Sequence, residues 1–199
     1  MSKYRTQPGS TVISGVDGNN NLQEVRVNSA NRGMLVMDPI LCKTFAGAQF
    51  FYSEAFTLAE TSDAKDYIFK TPDTTEWAHL TFRLTGSAIT EISLWEDTEL
   101  TTTSDYTELT TYNNNRNSTD SASCLLYEAS PATATDSGTR LFHMKSGAAT
   151  RQSRSPMTGE RSDEKFLKQN SYYRFSFATE STGNLCNTLF QWHEHTNGS

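Results

Sequence analysis

The chain has 199 residues, a formal net charge of −6, 35% hydrophobic and 11% aromatic residues. That length supports one domain with a real core, and the acidic balance argues against a general nucleic-acid binder, which carries a basic stripe. Few aliphatics with many aromatics suit a thin β-sandwich, whose outward positions hold Thr, Ser and Asn.

Lys3, Arg5, Arg26 and Arg32 make the beginning of the chain locally basic, while acids gather between Glu91 and Glu108. A basic arm on an acidic body fits docking onto a larger acidic surface; ordinary solubility charge accounts for it equally well. Cys42, Cys124 and Cys186 form no CxxC pair, and the odd count reads as buried reduced thiols in a protein assembled in a cytoplasm. Met1-Ser2-Lys3-Tyr4-Arg5 lacks the apolar core of a signal peptide, and no apolar run approaches a membrane span. The expectation is a soluble protein with no N-terminal secretory signal and no membrane partner.

Residues 1–43 mix Gly, Asn and Asp turns with short β-like pieces, VIS, EVRV and MLVM. Such pieces cannot close a core alone. They read as an arm that pairs with a neighbouring chain or lies along a larger surface; edge strands of the main domain are the other reading.

Residues 44–199 form the expected β-sandwich domain. Phe45, Phe50, Phe51, Tyr52 and Phe56 supply aromatic bulk, and Asp66 to Thr71 follows as a strand. Glu76 to Asp97 is the most strongly patterned stretch. Ala78, Leu80, Phe82 and Leu84 share one face against Trp77, His79, Thr81 and Arg83, and Ile92 and Leu94 oppose Glu91, Ser93 and Trp95. Period two marks half-buried strands, and Gly86-Ser87 between them predicts a hairpin turn.

Further strands are expected at Glu108–Tyr112, Ala122–Ala129, Thr139–Lys145, Tyr172–Phe177 and Leu185–His195, with a short strand or turn at Glu164–Gln169. Asn113 to Ser118 reads as a loop rich in Asx turns, and Ser146 to Asp163, with Arg151, Arg154 and Arg161, as a polar surface loop whose arginines serve solubility or an acidic partner. No helical period and no long repeat is present. Some eight short strands predict an all-β fold, a sandwich of the jelly-roll or Greek-key type with an extended N-terminal arm.

Candidate chemistry is sparse. In Trp192-His193-Glu194-His195 the two histidines of a strand would point the same way, a spacing some metal sites use, but a third ligand is needed and only His79 or His143 is on offer. Solvent-facing decoration of a strand end is the simpler reading, so no metal and no cofactor are expected. Glu91, Glu96, Asp97 and Glu99 follow one another along a strand end instead of facing across a cleft. No nucleophile elbow, P-loop or dinucleotide fingerprint occurs, and Cys124 lies in an apolar segment that suits a core thiol. No enzyme is expected. Trp77, Trp95 and Tyr112 would make a sugar-stacking or partner-binding platform if exposed, although strand aromatics more often fill a core.

Five motifs between Phe45 and Thr196 carry a resemblance: Glu96-Asp97-Thr98, Asn115-Arg116-Asn117-Ser118, Asp136-Ser137-Gly138-Thr139, Leu167-Lys168-Gln169-Asn170 and Trp192-His193-Glu194-His195. Together they resemble a family of tailed-phage virion proteins, with a serine inserted where the family pattern reads D-G-T. The resemblance implies a jelly-roll body and a non-enzymatic capsid decoration or cement protein on the capsid surface of a virion assembled in the host cytoplasm. It also implies a homotrimer, with the major capsid protein or other virion proteins as partners and no specific nucleic acid. On that reading the arm docks through Tyr4, Arg5, Val12, Ile13, Arg26, Arg32, Leu35 and Val36. The alternative is a glycan- or receptor-binding module of a head or tail fibre, using Trp77, Trp95 and Tyr112.

Overall fold

The computed structural model describes residues 14–16, 22–24, 43–98, 106–129, 138–146, 157–158 and 164–196. Among the described residues fourteen strands are assigned: β1 (Ser14–Val16), β2 (Leu22–Glu24), β3 (Gln49–Leu58), β4 (Ala64–Lys70), β5 (Glu76–Gly86), β6 (Thr90–Glu96) and β7 (Tyr106–Glu108) come first. They are followed by β8 (Tyr112–Asn113), β9 (Leu125–Ala129), β10 (Thr139–Ser146), β11 (Met157–Thr158), β12 (Lys165–Leu167), β13 (Tyr172–Thr179) and β14 (Asn184–Thr196).

β1 pairs with β2 antiparallel. The remaining strands form two six-stranded sheets. One runs β10-β6-β13-β4-β9-β7; the other runs β11-β5-β14-β3-β8, with β12 also on β5. Taken in chain order as first to eighth, β3, β4, β5, β6, β10, β12, β13 and β14 give sheet orders 1-8-3-6 and 2-7-4-5. That interleaving is the jelly roll, two Greek keys wrapped into a sandwich. β7, β8 and β9 are an insertion that widens both sheets at one side.

The core forms where the apolar faces meet. Leu80, Phe82 and Leu84 of β5, Phe190 and Trp192 of β14, Tyr67 and Phe69 of β4, and Phe175 and Phe177 of β13 are buried in one cluster. Edge-to-face contacts fill the narrow gap between sheets, with ring centroids 5.4 Å apart for Tyr67–Phe190, 5.1 Å for Phe69–Trp192 and 4.8 Å for Phe175–Phe190. The period-two expectation for these strands holds.

Three expectations need correction. Glu76–Asp97 is not a hairpin: β5 pairs with β14, β11 and β12, whereas β6 pairs with β10 and β13 in the opposite sheet. Residues 87–89 cross the sandwich because Asn184 captures them. Its Oδ1 accepts from Ala88 N at 2.9 Å and its Nδ2 donates to Thr90 Oγ1 at 2.8 Å, while Ser87 N donates to Leu185 O at 2.9 Å. Glu108–Tyr112 is likewise not one strand; it splits into β7 and β8, which lie in different sheets. The Ser146–Asp163 loop contains β11, hydrogen-bonded to β5.

Candidate functional site

The sheet that holds β5 and β14 turns its second face away from the core, and there the histidines converge. Trp192 and Glu194 point inward, so His193 and His195 point outward. The β5–β14 register sets His193 opposite His79 and His195 opposite Trp77. A ring nitrogen from each of His79, His193 and His195 lies within 4.8 Å of the others. His79 is therefore the third residue that the Trp192–His195 run requires. His143 is on β10 in the other sheet, with Nδ1 3.1 Å from Ser93 Oγ and 3.7 Å from Glu91.

Neighbouring groups orient the cluster. Glu164, just before β12, places Oε1 3.5 Å from Nδ1 of both His79 and His193. His195 Nδ1 lies 3.0 Å from the carbonyl oxygen of Thr196. Across the gap, His79 Nε2 and His195 Nε2 are 2.7 Å apart. The Phe166 ring lies over His79 with centroids 3.9 Å apart. His79 and His193 are only 9% and 8% exposed although they sit on an outer face. Burial, then the charges of His195 and Lys43, lowers the pKa of His79 to about 4. Its imidazole is neutral at physiological pH, the form that ligates metals. Sequence reasoning could place His193 and His195 on one face; it could not choose His79, because only the strand register does so.

Glu194 has a different job. Its carboxylate accepts from Trp192 Nε1 at 2.9 Å, Ser123 N at 2.8 Å and Cys124 N at 2.9 Å, all beneath the sheet. Burial and the Glu194 charge push the Cys124 thiol well above its ordinary pKa, so it is a core thiol, as is buried Cys186 at about 11.

The three aromatics do not form one platform. Trp95 is on β6 in the opposite sheet, with the Arg140 guanidinium 5.4 Å above its ring. Trp77 and Tyr112 share a sheet, but β5 and β8 are three strand spacings apart, about 14 Å. Trp77 is half-buried beside His195. Tyr112 is 45% exposed, packs on Phe51 and carries Arg116 at 5.4 Å. A cleft of about 290 Å³ lies on the other face of β8, lined by Phe50, Glu108, Asn113, Asp120, Cys124 and Leu126, among others, and Tyr112 is not part of its lining. Of the strand-end acids, Glu96 and Asp97 pair with Lys168 at 2.6 Å and 3.1 Å.

Tyr4, Arg5, Val12, Ile13, Arg26, Arg32, Leu35 and Val36 of the expected arm lie outside the described residues, as do Arg151, Arg154 and Arg161. Among the described residues, no helix is long and apolar enough to cross a membrane. No protein-family model, curated protein or solved structure matches the chain.

Proposed function

We propose that this protein is a non-enzymatic structural component of a phage virion, a capsid decoration protein that binds the outside of the head as a homotrimer. The observation that carries this reading is where the resemblance motifs go. Gly138 rests on the Glu96-Asp97 backbone. Lys168 bridges Glu96 and Asp97. Tyr173 OH donates to Glu96 Oε2 at 2.9 Å and accepts from Lys168 N at 2.7 Å. Three of the motif segments thus clamp one end of the sandwich.

The Asn115–Ser118 motif is also architectural. Asn113 and Asn115 side chains accept from the amides of Asn115 and Asn117 at 2.8 Å and 3.1 Å, a run of Asx turns. Asn113 Nδ2 ties the loop to Gly47 O at 2.7 Å. Motifs that fix backbone and close sheet ends suit a part whose work is mechanical. On this proposal residues 1–43 anchor the body to capsid protein, burying Val12, Ile13, Leu35 and Val36, and interfaces of roughly 1,000 Å² or more make the contact specific.

The test is co-sedimentation with capsids of the encoding phage assembled without this protein. Saturable binding by the full chain, lost from a chain beginning at Thr44, is expected. Full-length protein that stays in the supernatant would rule the proposal out. The fibre-module reading retains one specific support, exposed Tyr112 with the Arg116 guanidinium 5.4 Å from its ring. It predicts glycan-array binding that Tyr112→Ala removes with folding intact.

A further inference from the structure

The histidine cluster is not needed by a mechanical reading, yet three ring nitrogens converge there. His79 Nδ1 faces the Glu164 carboxylate at 3.5 Å and His195 Nδ1 faces the Thr196 carbonyl at 3.0 Å. The Nε2 atoms of these two rings face one another at 2.7 Å. One ring can donate to the other there, and with the gap opened both lone pairs can turn to one metal ion.

The surroundings match what metal-bound histidines require. A ligating histidine donates its other ring N–H to a carboxylate or a backbone carbonyl, which fixes its tautomer and strengthens the donor nitrogen. Here the Glu164 carboxylate lies 3.5 Å from Nδ1 of both His79 and His193, and the Thr196 carbonyl lies 3.0 Å from His195 Nδ1, so acceptors stand where those ring N–H groups would donate. His193 brings a third ring nitrogen, and all three lie within 4.8 Å of one another. Zinc–imidazole bonds of about 2.0–2.1 Å in a tetrahedron separate ligand nitrogens by about 3.3 Å. Metal entry therefore requires the His79–His195 gap to open by about 0.6 Å and a pair at the 4.8 Å limit to close by about 1.5 Å, movements within reach of side-chain rotation.

We infer that His79, His193 and His195 form a binding site for a divalent first-row transition metal ion, with Glu164 and the Thr196 carbonyl as its outer shell. Imidazole donors suit Zn²⁺, Cu²⁺ and Ni²⁺ over Mg²⁺ or Ca²⁺, which take oxygen ligands. A bound ion staples β5 to the end of β14 and holds the segment leading into β12 through Glu164. Its consequence is rigidity at the end of the sandwich that carries these elements.

The experiment uses untagged full-length protein, stripped with chelator, and titrates Zn²⁺ by calorimetry and Co²⁺ by visible absorption. One equivalent of Zn²⁺ is expected to bind and raise the melting temperature, and Co²⁺ to give the intense bands of nitrogen-rich four-coordinate geometry. Glu164→Gln, which keeps all three ligands, should weaken Zn²⁺ by about 10–100-fold, and His195→Ala should weaken it further. His195 is half-buried where His193 is buried, so this variant stays folded even where His193→Ala does not, as circular dichroism will report. Wild-type protein that takes up no Zn²⁺, or affinity unchanged in His195→Ala, would overturn the assignment and leave the cluster a hydrogen-bonded histidine network.

Discussion

A Cβ atom on Gly138 would stand 2.0 Å from the carbonyl oxygen of Glu96. Gly138 also adopts a φ of +87°, which side-chain-bearing residues rarely accept. The start of β10 is thereby seated on the end of β6, with Thr139 opposite Glu96. Gly138→Ala combines left-handed strain with a backbone clash that cannot rotate away. We expect a loss of about 1–3 kcal/mol or more, read as a lower urea midpoint with the m-value unchanged. A loss below a few tenths of a kcal/mol would mean that β10 pairs by other means.

Asp66 and Arg174 form a buried ion pair on the outer face of the β4–β13 pair, Nε to Oδ2 3.1 Å, with side chains 1% and 8% exposed. Removing one member strands the other charge away from water. Asp66→Ala is expected to cost about 3–5 kcal/mol, whereas replacing both residues with apolar ones of similar volume should recover most of it. A double-mutant cycle by chemical denaturation measures this, and additive losses would show that the two charges do not interact.

Within β14, alternate residues should respond oppositely to truncation. Glu194 accepts from Trp192 Nε1 and the amides of Ser123 and Cys124. Glu194→Ala leaves those donors unpaired in the core, each hydrogen bond to a charged group being worth about 1.5–3 kcal/mol. The variant should melt far earlier and show altered Trp192 fluorescence. His195→Ala in metal-free protein should barely change stability. Equal losses in both would show that the two faces are not distinct.

The division of faces along β14 was legible in the sequence, because alternation of Cys186, Thr188, Phe190 and Trp192 is a local property of a strand. The eight-strand sandwich was legible for the same reason. Pairing was not. Period two assigns Ile92 and Leu94 to a buried face, and that face is the same whether β6 lies beside β5 or across the core from it. The choice depends on Asn184, distant in sequence, which captures Ala88 and Thr90. The histidine site was half legible on identical grounds: His193 and His195 share a face by periodicity, whereas His79 and Glu164 reach them through strand register. The break within Glu108–Tyr112 had no sequence signal, since Leu109, Thr110 and Thr111 all suit a strand.

Acid sensitivity should concentrate at Glu54, which bridges the two sheets. Burial alone would raise its pKa. Hydrogen bonds from Lys65 at 2.7 Å, Tyr67 at 2.6 Å and Tyr52 at 2.9 Å outweigh that and hold it below the ordinary 4.5. The same contacts raise the pKa of Tyr52 and Tyr67, after burial, and keep both hydroxyls as donors. A carboxyl that binds its proton less readily in the fold than in the unfolded chain stabilises the fold above pH 4.5, and that stability drains away as pH falls through the lower folded value. Glu54→Gln should therefore be less stable than wild type at neutral pH and converge toward it under acid. Urea midpoints measured for both proteins from neutral pH down through the carboxylate range decide the matter. Parallel profiles would move the acid-labile group elsewhere.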